Sequence, residues 1–252
     1  MPQSALGKTY VFDVNLHRYV PAADRIGAPA NGVRFILYAV NPITHEPIID
    51  VEVGHADLLD IGAARPSGIG LRLLVVSQGQ TFLDYTVFLD GSETAGSLSA
   101  AGFLTDGATR LEFQIMARGR NVGSTAMMDI DFHFEIPDRG FSATGKLEGT
   151  HSLTGETQRV NLAVRTGQTT IGYSVSGNSQ VVDATILVDG QVFATVRGDH
   201  RNPVILGAGG RQLTAEEVKA LGRLVQLAGE VFEIFGHLLR PVEMILLLST
   251  IP

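Results

Sequence analysis

From Lys8 to Arg197 apolar and polar residues alternate with a period of two, in runs broken by glycine and Asp-Gly pairs. That period belongs to the β-strand, whose successive side chains leave on opposite faces, and an α-helix cannot satisfy it. Residues 128–136 show it most clearly. Met128, Ile130, Phe132, Phe134 and Ile136 point one way, while Asp129, Asp131, His133 and Glu135 point the other. One face is therefore apolar and one is wet, as in an antiparallel sheet packed on a single side. The same pattern predicts strands at 9–16, 33–40, 48–53, 70–76, 81–89, 97–104, 110–117, 141–148, 158–164, 170–176, 181–188 and 192–196.

Short turns join these strands. Gln78-Gly79, Asp90-Gly91, Asp106-Gly107, Thr166-Gly167, Gly177-Asn178 and Asp189-Gly190 supply residues that tolerate left-handed backbone. Residues 21–32, rich in Ala, Pro and Gly, read as a long surface loop, and 121–124 as a shorter one. Gly79-Gln80-Thr81 with Tyr85 and Val87 recurs as Gly167-Gln168-Thr169 with Tyr173 and Val175. The match raises an internal duplication, about 68–118 and 156–198, although a chance recurrence of a good turn explains it equally.

After Leu206 the pattern changes. Gly207-Ala208-Gly209-Gly210 punctuates the chain, and Thr214-Ala215-Glu216-Glu217 has the form of a capping box, so a helix starts there. Pro241 predicts a kink or restart. Within 214–240 the polar residues Lys219, Arg223, Gln226, Glu230, Glu233, His237 and Arg240 are spaced alternately by four and three, forming one narrow stripe. The rest of the circumference is apolar or small and requires cover, from the sheet or from a second helix. Ala215, Gly222, Gly229 and Gly236 recur every seven residues, with Val218, Val225, Phe232 and Leu239 three beyond each. Glycine is costly inside a helix, so the line predicts close approach by a neighbour, either the sheet face or a partner helix. The candidate interaction residues are Gly222, Val225, Gly229, Phe232, Gly236 and Leu239.

The expected fold is mostly β: an antiparallel meander over 1–206, as a curved sheet, half-barrel or sandwich. A Gly-rich linker and long apolar helix over 207–252 pack on it. Charged residues make up 18% of the chain, against roughly 25% in ordinary soluble domains. A net charge of −7 argues against a nucleic-acid partner, which needs clustered Lys and Arg. With no cysteine, thiolate metal sites, disulfides and a Cys nucleophile are excluded. The first residues lack the basic and apolar runs of a secretory signal. The Gly-, Ser- and Thr-rich strands favour an envelope, periplasmic or secreted setting, with a cytoplasmic one still open. No membrane span is expected, because Glu230, Glu233, His237, Arg240 and Glu243 would all fall inside it.

Chemistry has few footholds. Asp129, Asp131, His133 and Glu135 are the candidate metal ligands, but alternate residues of one strand lie about 6.6–6.8 Å apart and need ligands from neighbouring strands. Glu230, Glu233 and His237 share adjacent helical turns, which an i,i+4 surface pair explains as well. The glycines at 207–210 lack the remainder of a phosphate-binding motif, and no cofactor is expected. His55-Ala56-Asp57 and Asp199-His200-Arg201-Asn202 read as polar loop clusters without a nucleophile motif. The leading expectation is a non-enzymatic interaction or assembly protein, homo-oligomeric or bound to a dedicated protein partner. A carrier of a lipid, pigment or other apolar ligand between sheet and helix is the alternative, and a metal-dependent hydrolase the third reading.

Overall fold

The computed structural model describes residues 1–62, 68–153, 155–199 and 201–249; in the last stretch side chains are described as far as Val231 and at Glu233. Its strands are β1 (Lys8–Asp13), β2 (Arg18–Pro21), β3 (Gly32–Val40), β4 (Pro47–Asp60), β5 (Ile69–Ser77), β6 (Gln80–Gly91), β7 (Ala95–Thr105) and β8 (Arg110–Val122). They continue as β9 (Thr125–Ile136), β10 (Phe141–Ser152), β11 (Gly155–Thr166), β12 (Thr169–Gly177), β13 (Val181–Val188), β14 (Gln191–Asp199) and β15 (Val204–Gly207), and one helix follows, α1 (Ala215–Ser249).

The fifteen strands form one sheet in the order β15 through β3, then β1, then β2. The mostly β, antiparallel fold with a C-terminal helix is thus as the alternation predicts. One pairing departs from the meander. β2 folds back antiparallel on β1, and residues 22–31 carry the chain to the opposite edge of β1, so that β3 runs parallel to it. β2 and β15 have four residues each, too few for a period to show; the Tyr19 ring of β2 is held edge-on against Phe12 and Phe35.

The sequence ends β4 at Val53, before Gly54. The strand in fact continues to Asp60, so His55-Ala56-Asp57 lies on a strand and not in a loop. Gly54 is required by close approach: a Cβ there would meet the Val76 carbonyl of β5. Asp90-Gly91 also belongs to a strand, and the turn follows it, closed by the Ser92 amide donating to the Ala95 carbonyl at 2.7 Å. The two Gly-Gln-Thr triplets occupy different turn positions. Gln78 and Gly79 form the first turn, both with positive φ, whereas Gly167 and Gln168 form the second.

The chain divides into two compact units, Met1–Gly91 with Leu98–Phe113, and Ser92–Ser97 with Gln114–Pro252. The first buries Val33, Leu71, Tyr85, Val87 and Phe113. In the second, the apolar row of β9 continues across the register: Phe134 stands opposite Ala143, which pairs with Val164, which pairs with Ile171, and all four are buried. Phe132 lies across Gly145, where any Cβ would strike its ring, so the glycine makes room for the aromatic.

Candidate functional site

Helix α1 begins as a capping box. The Glu217 amide donates to Thr214 Oγ1 at 3.3 Å, and the Thr214 amide donates to Glu217 Oε2 at 2.8 Å. Arg211 reaches the same carboxylate with two nitrogens. These bonds, the Arg211 guanidinium first, hold the Glu217 carboxyl down at about 2. The helix then runs unbroken to Ser249, through Pro241, where a kink or restart was expected. Proline's fixed φ is itself helical, and its missing donor removes one bond among many in a helix of this length.

Three stripes divide its circumference. Leu221 and Val231 are buried, with Ala220, Leu224, Leu227 and Ala228 half-buried on the same side. This side faces the sheet: the Tyr173 hydroxyl of β12 donates to the Leu224 carbonyl at 2.7 Å, and burial pushes that phenol up to about 12. The second stripe is polar and exposed, with Gln226 donating to Glu230 one turn on at 2.9 Å.

The third stripe holds the glycine heptad. Gly222 and Gly229 are exposed, and apart from the helix's own backbone no described atom lies within 4 Å of where a Cβ would stand on either. Val218 and Val225 are 55% and 58% exposed. The sheet therefore does not lie over these glycines, which removes that explanation of the small residues. The backbone of α1 carries the same period through positions 232, 236 and 239; the side chains of Phe232 and Leu239 lie outside the described residues, as does that of His237.

Beside the helix runs a groove of about 610 Å³. Val188, Phe193, Ala220 and Leu224 line it, and Glu216, Lys219 and Arg223 rim it.

The wet face of the second unit carries Asp129, Asp131, His133 and Glu135. Across β10 these stand opposite Glu148, Lys146, Thr144 and Ser142. Lys146 Nζ bonds Glu148 at 2.6 Å, Arg159 approaches Glu148 at 4.0 Å, Arg118 lies 3.9 Å from Asp131, and His133 lies 3.5 Å from Glu135. The Lys146 bond lowers the Glu148 carboxyl and raises the ammonium. Among the described residues no three His, Asp or Glu side chains come together as a metal cluster. The row is instead interleaved with cations, and at its end Arg120, Asp129, Glu148, Thr150, Thr157 and Arg159 line an open polar groove of about 600 Å³.

The first unit holds a charged cluster of which the sequence singles out His55 and Asp57 but not Arg34. Asp57 is 4% exposed and takes two bonds from Arg34 on β3, each 2.7 Å. The pairing raises the Arg34 pKa. His55 stands 3.8 Å from Asp57, beyond hydrogen-bond distance. Thr9, paired with Arg34 across β1 and β3, keeps a buried hydroxyl with no hydrogen-bond partner among the described residues. The signal for this cluster was non-local, since only register brings residues 34 and 57 together.

The remaining candidates fall apart as sites. Asp199 closes a turn by accepting from the Arg201 amide at 2.8 Å, and His200 lies outside the described residues. Gly209 and Gly210 have positive φ in the turn linking β15 to α1, and Gly207 donates to the Arg211 carbonyl at 2.8 Å. Among the described residues no helix is long and apolar enough to cross a membrane. No protein-family model, curated protein or solved structure matches the chain.

Proposed function

We propose that the chain is a non-enzymatic assembly protein whose C-terminal helix docks on another helix through its glycine heptad. One observation carries this reading: the stripe of Gly222, Val225 and Gly229 is turned away from the sheet and open. Glycine on an open helix face costs about 0.8–1.0 kcal/mol relative to alanine, and nothing among the described residues packs on Gly222 or Gly229 to offset that. A partner backbone approaching closely does offset it. The Gly-, Ser- and Thr-rich strands support an envelope or secreted setting for such a protein.

Native mass spectrometry of the full chain tests the proposal. Whole multiples of the 26.9 kDa subunit are expected, and Gly229→Leu should return the protein to the monomer with its β-sheet circular dichroism unchanged. A wild-type monomer, or a variant whose assembly is untouched, defeats the proposal.

A carrier of an apolar ligand is the second reading. The groove between α1 and the strands β13 and β14 favours it, because its apolar floor under Lys219 and Arg223 suits an amphiphile with an anionic head. The same spectrum decides: a monomer with extra non-protein mass, lost on organic extraction, selects the carrier.

A further inference from the structure

We infer that the partner of α1 is the same helix of a second copy, laid antiparallel and crossing near residue 227; this rests on the assembly reading above. The heptad alternates small and large along the sequence, with Ala215, Gly222, Gly229 and Gly236 at one position and Val218, Val225, Phe232 and Leu239 at the other. An antiparallel register about residue 227 sets position 215 against 239, 218 against 236, 222 against 232 and 225 against 229. In every layer a small residue then meets a large one. Helices so matched keep one separation along their length, as ridges entering grooves require. A parallel pair sets glycine on glycine and large on large in alternate layers. Its separation would have to change by the width of a side chain about every turn.

Charge selects the same arrangement. Beside the small residues run Lys219, Gln226 and Glu233, all exposed. Beside the large ones run Leu221 and Ala228, which are turned toward the sheet. In an antiparallel pair the two polar flanks meet each other. Lys219 then faces the partner's Glu233, twice by symmetry, while Gln226 lies beside its own copy at the two-fold axis. Lys219 makes no hydrogen bond or ion pair among the described residues, so this contact displaces nothing on its side. A parallel pair would lay the polar flank of one helix along the Leu221 and Ala228 side of the other, and no charge would be matched.

The chain has no cysteine, so introduced thiols report geometry directly. Lys219→Cys, Gln226→Cys and Glu233→Cys are made singly in the full chain, oxidised mildly and weighed. Gln226→Cys alone should form a covalent dimer. Lys219→Cys and Glu233→Cys should each stay uncoupled alone and couple to one another when mixed. In a parallel pair each of these positions meets the Leu221 and Ala228 side of the partner and none reaches its own copy. Native dimers in which no position couples, alone or mixed, therefore mean a parallel pair or a contact on another surface, and either overturns the inference while leaving assembly intact. A chain that is monomeric before any substitution defeats the assembly reading itself.

Discussion

Arg34 and Asp57 in the first unit are locked in a two-point ion pair with the carboxylate almost wholly out of water, whereas Lys146, Glu148 and Arg159 in the second stand in a cross-strand row open to solvent. Similar chemistry has different consequences in the two settings. Two charges taken out of water are tolerable only while each satisfies the other, so removing one leaves the second stranded. In the open row water replaces any partner that is lost. The buried pair thus holds β3 and β4 in one register, because a slip of one residue would carry Arg34 to the opposite face from Asp57. The open row is free to serve solubility or contact.

The sharpest way to break this contrast is Asp57→Ala. It should destabilise the first unit by about 3 kcal/mol, read as a lower urea midpoint for that unit's transition. Replacing both partners, Arg34→Met with Asp57→Leu, should recover most of the loss, since the penalty belongs to the unpaired charge. A single substitution that leaves the midpoint in place would show that water reaches the pair. Arg72 and Asp84, also joined by two bonds but with the arginine side chain 43% exposed, lie between the extremes. Arg72→Ala should cost about 1 kcal/mol in the same measurement.

How much of this was legible in the sequence follows the same division. β9 alternates in sequence because one face of its strand is wet: Phe132 and Phe134 are buried as read, while Met128 near its start is 46% exposed. β4 does not alternate cleanly: Asp57 sits on a face that is largely covered, and Gly54 resembles a strand end while meeting a neighbouring backbone. Both exceptions depend on β3 and β5, which are distant in sequence. The capping box of α1 was legible because all its partners lie within four residues. Its glycine heptad was legible as a period, but whether the sheet covered it was not. That depended on the direction in which Leu221 and Val231 turn the helix.

The exposed bond between Arg211 and Glu217 tests whether an open charge contributes anything. The Glu217 carboxyl is depressed to about 2 by Arg211 and by the Thr214 amide, against an ordinary value near 4.3 for the unfolded chain. A depressed acid stabilises the folded state above its unfolded value, and the contribution is lost as pH falls from there toward 2. The helix start should therefore loosen over that window, seen as faster amide exchange at residues 214–218. Glu217→Gln should show no acid-dependent change there, having no carboxylate to protonate.

The smallest effect belongs to the open row itself. Glu148→Gln removes the charge that Lys146 and Arg159 share, but every group it leaves behind remains in water. Its unfolding midpoint should match the wild type within error, while the Lys146 ammonium titrates at lower pH once the carboxylate that raises it is gone. Were the midpoint to fall as far as in Asp57→Ala, the row would have to be covered in solution. The polar face would then be an interface, and the contrast between the units would reduce to which surface each charge is buried against.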